Sequence, residues 1–250
     1  KKYTKKNKNK SFGRIVTDFM PKVAQFTVKE LDNTLCSLLE INNSYFVCGY
    51  LYGEIDVYNC YSLSCLFCIF EHRQRINNLT LLKDKAILSS SFDYTMKKIR
   101  ISTEDKTYFV EFVFDDFDGV IYKGIELPIN NIITISFGGK LTLWEKLPDR
   151  GYKVIKKQEV VDEELYDIIL LNNNEYALST DNCLRFFNID SYQHVNTIYN
   201  LEFIAKNNLA KINDDLIGIL LNQEIGLVDI NDKVLLKKIE SKGGYLESIN

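Results

Sequence analysis

The sequence predicts an all-β chain built from repeated four-stranded units, and three observations carry that prediction. Strand-forming residues are abundant, with fifteen Tyr and fifteen Phe beside many Ile, Val and Leu. One pattern recurs five times: a short apolar run, a tight turn, then an alternating strand that ends in a large residue. The recurrences are 41 to 45 residues apart, within the ~40–45 of a four-stranded propeller blade.

The five copies are Gly49–Asn59, Ser90–Arg100, Ile135–Glu145, Leu178–Asn188 and Ile219–Asp229, with large terminal residues Tyr58, Ile99, Trp144, Phe187 and Val228. Their turns read Tyr52-Gly53, Asp93-Tyr94, Gly138-Gly139, Asp181-Asn182 and Asn222-Gln223. Gly, Asn and Asp tolerate the positive φ of two-residue hairpins. After each turn come Ile55, Met96, Leu141, Leu184 and Ile225, followed two residues later by Val57, Lys98, Leu143, Phe186 and Leu227. A period of two sets one face of each strand against a neighbouring blade. Lys98 breaks the apolar column, which calls for a snorkelling stem or a bulge.

About twenty residues before each turn stands a second unit, an apolar strand, a polar turn and another apolar strand, as in Leu38–Val47, Leu79–Leu88, Ile168–Ala177 and Leu209–Gly218. In the third repeat this unit is Ile125–Thr134, with Pro128 at the turn. Outer strands follow at about 65–70, 107–114, 152–157, 194–199 and 233–239. The expected architecture is a β-propeller with five complete blades and part of a sixth or seventh. Residues 23–28 read as an outer strand lent to another blade, and 245–250 as the opening of a further one. Residues 1–22 are expected to be a separate basic, flexible segment, with eight Lys or Arg against Asp18, while the remainder is acidic by ten charges.

The terminal pairs Tyr58-Asn59, Ile99-Arg100, Trp144-Glu145, Phe187-Asn188 and Val228-Asp229, with Glu71-His72 ahead of the second repeat, resemble the WD-repeat propellers in divergent form. Those blades end in Trp-Asp and open with Gly-His. The resemblance covers residues 23–250 and implies a blade-stabilising role for His72. The family's Asp-His-Ser/Thr-Trp hydrogen-bond network is expected to be complete in none of these repeats.

Little chemistry is encoded. The histidines, His72 and His194, fall in different repeats, and His194 opens an outer strand. Gly138-Gly139 and Gly243-Gly244 lack the Lys-Ser/Thr of a phosphate loop. Six scattered cysteines suit a reducing, intracellular setting, cytoplasmic by expectation. Cys65-Leu66-Phe67-Cys68 is a lone C-x-x-C, and positions three apart on a strand point to opposite faces, so neither metal nor cofactor is expected. The acidic runs Asp115–Asp118 and Asp162–Glu164 read as solvated handover loops between blades. No apolar run is long enough to span a membrane.

What remains is shape. Handover loops and inner turns emerge at one end of a propeller, and loops on a rigid scaffold are where binding concentrates. The resemblance implies a partner-binding face including Arg73, Arg75, Asp116, Phe117, Asp118, Glu163, Glu164 and Phe203. The expected function is a non-catalytic protein–protein interaction scaffold, a subunit of a larger assembly whose partners are other proteins. The alternatives are a substrate-recognition subunit of a ubiquitin ligase and an RNA- or ribosome-associated propeller using the basic segment.

Overall fold

The computed structural model describes residues 34–149, 151–160, 164–172, 174–201, 208–221 and 224–240. The basic segment 1–22, the lent strand at 23–28, the sixth-blade opening at 245–250 and Gly243-Gly244 lie outside these residues, as do Glu163 and Phe203.

Among the described residues, twenty strands form five four-stranded antiparallel sheets, each a blade whose strands pair in chain order. Blade 1 holds β1 (Leu35–Asn42), β2 (Tyr45–Tyr50), β3 (Ile55–Asn59) and β4 (Cys65–Ile69). Blade 2 holds β5 (Ile76–Leu81), β6 (Ile87–Ser91), β7 (Met96–Ser102) and β8 (Thr107–Phe114). Blade 3 holds β9 (Ile121–Glu126), β10 (Ile132–Ser136), β11 (Lys140–Lys146) and β12 (Tyr152–Glu159). Blade 4 holds β13 (Asp167–Leu170), β14 (Glu175–Ser179), β15 (Leu184–Asn188) and β16 (His194–Ile198). Blade 5 holds β17 (Leu209–Lys211), β18 (Leu216–Leu221), β19 (Glu224–Asp229) and β20 (Val234–Glu240). The fold is the all-β propeller that the spacing predicts.

Alternation along the third strand of each blade decides which blade it meets. Ile55 and Val57 pack toward blade 2, Met96 toward blade 3, Leu141 and Leu143 toward blade 4, and Leu184 and Phe186 toward blade 5. The large terminal residues face the other way: Ile99, Trp144, Phe187 and Val228 each join the cluster shared with the preceding blade. Each such side chain stabilises the fold by roughly 1.5–3 kcal/mol through burial.

Polar links stitch the innermost strands in series. Leu79 N–H donates to Ser37 Oγ (3.1 Å), and Asn77 Nδ2 donates to the Ile121 carbonyl (2.7 Å). Lys123 Nζ reaches Asp167 Oδ1 at 2.8 Å, and Leu209 N–H donates to Asp167 Oδ2 at 2.8 Å. Asp167 is fully buried, so these partners are what make its charge tolerable there.

The outer strand of every blade carries a bulge at one equivalent place. Register slips between Val57 and Tyr58, Lys98 and Ile99, Leu143 and Trp144, Phe186 and Phe187, and Leu227 and Val228. The extra residues are Leu66, Glu111, Ile155, Val195 and Leu236. Each bulge therefore sits beside a large terminal residue and increases local twist there.

Glu111, the bulged residue of blade 2, resolves the Lys98 anomaly. Lys98 does not snorkel out. It is buried, with its Nζ 2.6 Å from Asp84 and 2.8 Å from Glu111. Arg100 binds the same two carboxylates at 3.1 and 2.6 Å.

Asparagine shapes the end of the propeller opposite the handover loops. The Oδ1 atoms of Asn42, Asn59, Asn172, Asn188, Asn213 and Asp229 each accept the backbone N–H groups two and three residues on, at 2.8–3.1 Å. These are Asx turns, which satisfy the backbone locally. The polar residue after the large terminal one thus has a defined task in blades 1, 4 and 5.

Candidate binding face

The turns between second and third strands and the handovers between blades meet at one end. Phe92 N–H donates to the Arg75 carbonyl at 2.9 Å, Phe137 N–H to Val120 at 2.8 Å, and Leu201 N–H to Asn182 at 2.8 Å. Gly53 shows how tight this packing is. Its φ is +88°, and a Cβ there would meet the His72 carbonyl oxygen at 2.5 Å.

A hydrogen-bond network holds the blade 2 portion of this end. His72 Nδ1–H donates to Asp93 Oδ2 at 2.9 Å, and His72 Nε2 lies 2.7 Å from Ser89 Oγ. Asp93 also accepts the Arg73 N–H, the Thr95 N–H and the Thr95 hydroxyl. Burial alone pushes the Asp93 carboxyl up, but bonds from His72 and Thr95 outweigh it and hold the group well below the ordinary carboxylate range. Blade 3 has a different pair at the position equivalent to Ser89: Trp144 Nε1–H donates to Thr134 Oγ1 at 3.2 Å. In blade 2 the Trp144 position is Ile99, so that network joins His72, Asp93, Ser89 and Thr95 without a tryptophan. His194 lies apart, exposed, with Nε2 2.6 Å from Thr197 Oγ1.

The described residues expected from sequence fall in three places here. Arg73 and Arg75 are exposed at the blade 1–2 handover, and the Arg75 guanidinium lies over the Phe92 ring at 5.7 Å. Asp116, Phe117 and Asp118 come together at the rim of blade 3, lining a groove of about 330 Å³ with Lys140, Lys157 and their neighbours. Asp116 pairs with Lys157 at 2.7 Å and Asp118 with Lys140 at 3.0 Å. The Lys140 bond holds the Asp118 carboxyl below its usual range. Phe117 is half-buried, its ring 5.2 Å from that of Trp144, so much of it belongs to the interblade core. Glu164 accepts the Gly138 N–H at 3.3 Å.

A scan against protein-family models finds no match, and a search of the curated proteins finds none.

Sequence reading overlooked the most prominent side chains of this end. Tyr52, Phe70, Tyr94, Phe137 and Tyr199 are 54–71 % exposed, and all five stand on inner turns or handovers. Large exposed side chains are sparser on the opposite turns, where Tyr61, Ile129 and Ile212 stand. A signal was present. Tyr94 occupies a tight-turn position with φ of +65°, where glycine or asparagine relieves strain and a bulky ring adds it. No helix among the described residues is long and apolar enough to cross a membrane.

Proposed function

We propose that this chain is a divergent WD-repeat propeller whose loop-bearing end is a non-catalytic platform for other proteins. One observation carries the reading: five exposed aromatic rings, Tyr52, Phe70, Tyr94, Phe137 and Tyr199, on the end formed by inner turns and handovers. Aromatic side chains supply large, rigid contact area and dominate the energetic centres of protein interfaces. The strained Tyr94 backbone supports the same reading, because its ring contributes little burial to the fold. The charged pairs Asp116–Lys157 and Asp118–Lys140, with Arg73 and Arg75, supply the polar rim that such surfaces carry. The repeat spacing and the His72–Asp93–Ser89 network support the family assignment.

The test is co-purification with the full chain. Substituting Ala for Tyr52, Tyr94 and Phe137 together is expected to remove stoichiometric partners while leaving the melting temperature within a few degrees. Tyr61→Ala, on the opposite end, is expected to retain them. Partners that survive the triple substitution would refute the platform role of this end.

A further inference from the structure

The face of blade 1 turned away from blade 2 gathers chemistry that neither blade packing nor the loop end uses. Cys48, Asp56 and Cys68 are register partners across β2, β3 and β4, so they stand in one row on that face. The sequence expectation that Cys65 points away from Cys68 is overturned by the bulge at Leu66. With one extra residue between them, the two thiols share a face, and their Sγ atoms are 3.9 Å apart. A carboxylate oxygen of Asp56 completes a group of three donor atoms, all within 4.8 Å of one another.

Asp56 gives an independent reason to expect a ligand. It is only 6 % exposed, and the Tyr58 hydroxyl donates to its Oδ2 at 3.1 Å. Its Oδ1 is buried without a hydrogen-bond partner. A buried carboxylate oxygen left unmet is unfavourable, and a bound cation would meet it.

We propose that Asp56, Cys65 and Cys68 form a zinc-binding site. Zinc takes thiolate and carboxylate donors together, and two thiolates held tetrahedrally at ~2.3 Å from it lie about 3.8 Å apart, close to the 3.9 Å seen here. Cys65 is exposed, so a fourth position on that side is open to water. Binding releases the two thiol protons to solvent, and no electron is transferred.

The full chain, stripped of metal under reducing conditions, is titrated with Co²⁺ as the spectroscopic probe and then with Zn²⁺. The expected result is one equivalent of cobalt, a thiolate-to-cobalt charge-transfer band, and loss of that band as zinc displaces it. Cys65→Ser and Cys68→Ser abolish the band, Asp56→Asn weakens binding at least ~tenfold, and Cys60→Ser and Cys183→Ser leave it intact. Cys65→Ser lies at an exposed position, so it separates lost ligation from lost folding by keeping its melting temperature. The proposal is overturned if no charge-transfer band forms, if the band survives Cys65→Ser, or if Cys60→Ser removes it equally.

Discussion

Glu111 Oε2 lies 2.8 Å from Lys98 Nζ because a bulge turns Glu111 inward opposite the one lysine in an otherwise apolar column. Glu111 and Asp84 are both held below the ordinary carboxylate range. In each case burial opposes the shift, and bonds from Lys98 and Arg100 outweigh it. Glu111→Ala is expected to destabilise the chain by roughly 2–4 kcal/mol, because it strips a buried ammonium of one partner. The double substitution Lys98→Leu with Glu111→Leu restores the apolar column and leaves Arg100 paired with Asp84. It is expected to fall within about 1 kcal/mol of the parent. Urea unfolding of the two variants measures the contrast, and equal destabilisation would sink this account.

Trp144 makes a second prediction. Its ring meets Phe114 at 4.9 Å and Phe117 at 5.2 Å, and its N–H bonds Thr134. Trp144→Ala is expected to remove about 3–5 kcal/mol through the cavity it leaves. Trp144→Phe keeps much of the ring packing and loses the hydrogen bond, so about 1 kcal/mol is expected. A near-neutral Trp144→Ala melt would contradict the interblade packing.

Asp93 ties stability to pH. A carboxyl depressed on folding contributes stability that is complete above the unfolded value of ~3.9 and is lost as pH falls through the folded value. Asp84 and Glu111 act in the same direction. Stability is therefore expected to fall as pH drops below about 4. Asp93→Asn should be less stable at neutral pH and should lose less on acidification. Chemical denaturation at several pH values reads both slopes, and parallel curves for parent and variant would dismiss the linkage.

Tyr94 is where stability and binding part company. Tyr94→Gly relieves the positive φ and is expected to raise stability by about 0.5–1 kcal/mol. It also removes a ring that is 54 % exposed from the proposed platform. A more stable chain that holds its partners less well is the expected pair of results. Calorimetry with co-purification checks both.

Much of the fold was legible because period and alternation are backbone properties. The five outer strands begin within a residue of where the spacing puts them, and Trp144 and Phe187 face blade neighbours as their columns imply. The site was less legible. Phe117 looks like a loop aromatic in sequence, yet it leans on Trp144, a contact made between blades 2 and 3. The convergence of Cys65 with Cys68 escaped because a strand of strict period two separates them. Only pairing with β3 reveals the extra residue at Leu66. The ion cluster around Lys98 was hidden for the same reason, since Asp84 and Glu111 are distant in sequence and join it through strand pairing.

The repeated outer-strand bulge also bears on solubility. Each outer strand leaves one row of backbone donors and acceptors facing away from its own blade, and several carry exposed apolar residues, among them Phe109, Ile155, Val195 and Leu236. A straight edge of that composition would offer a foreign strand a ready template. The offset at Glu111, Ile155, Val195 and their counterparts breaks that template within each edge. Deleting Ile155 is expected to straighten the rim of blade 3 and to favour edge-to-edge pairing between copies, read as light scattering that rises with concentration relative to the parent.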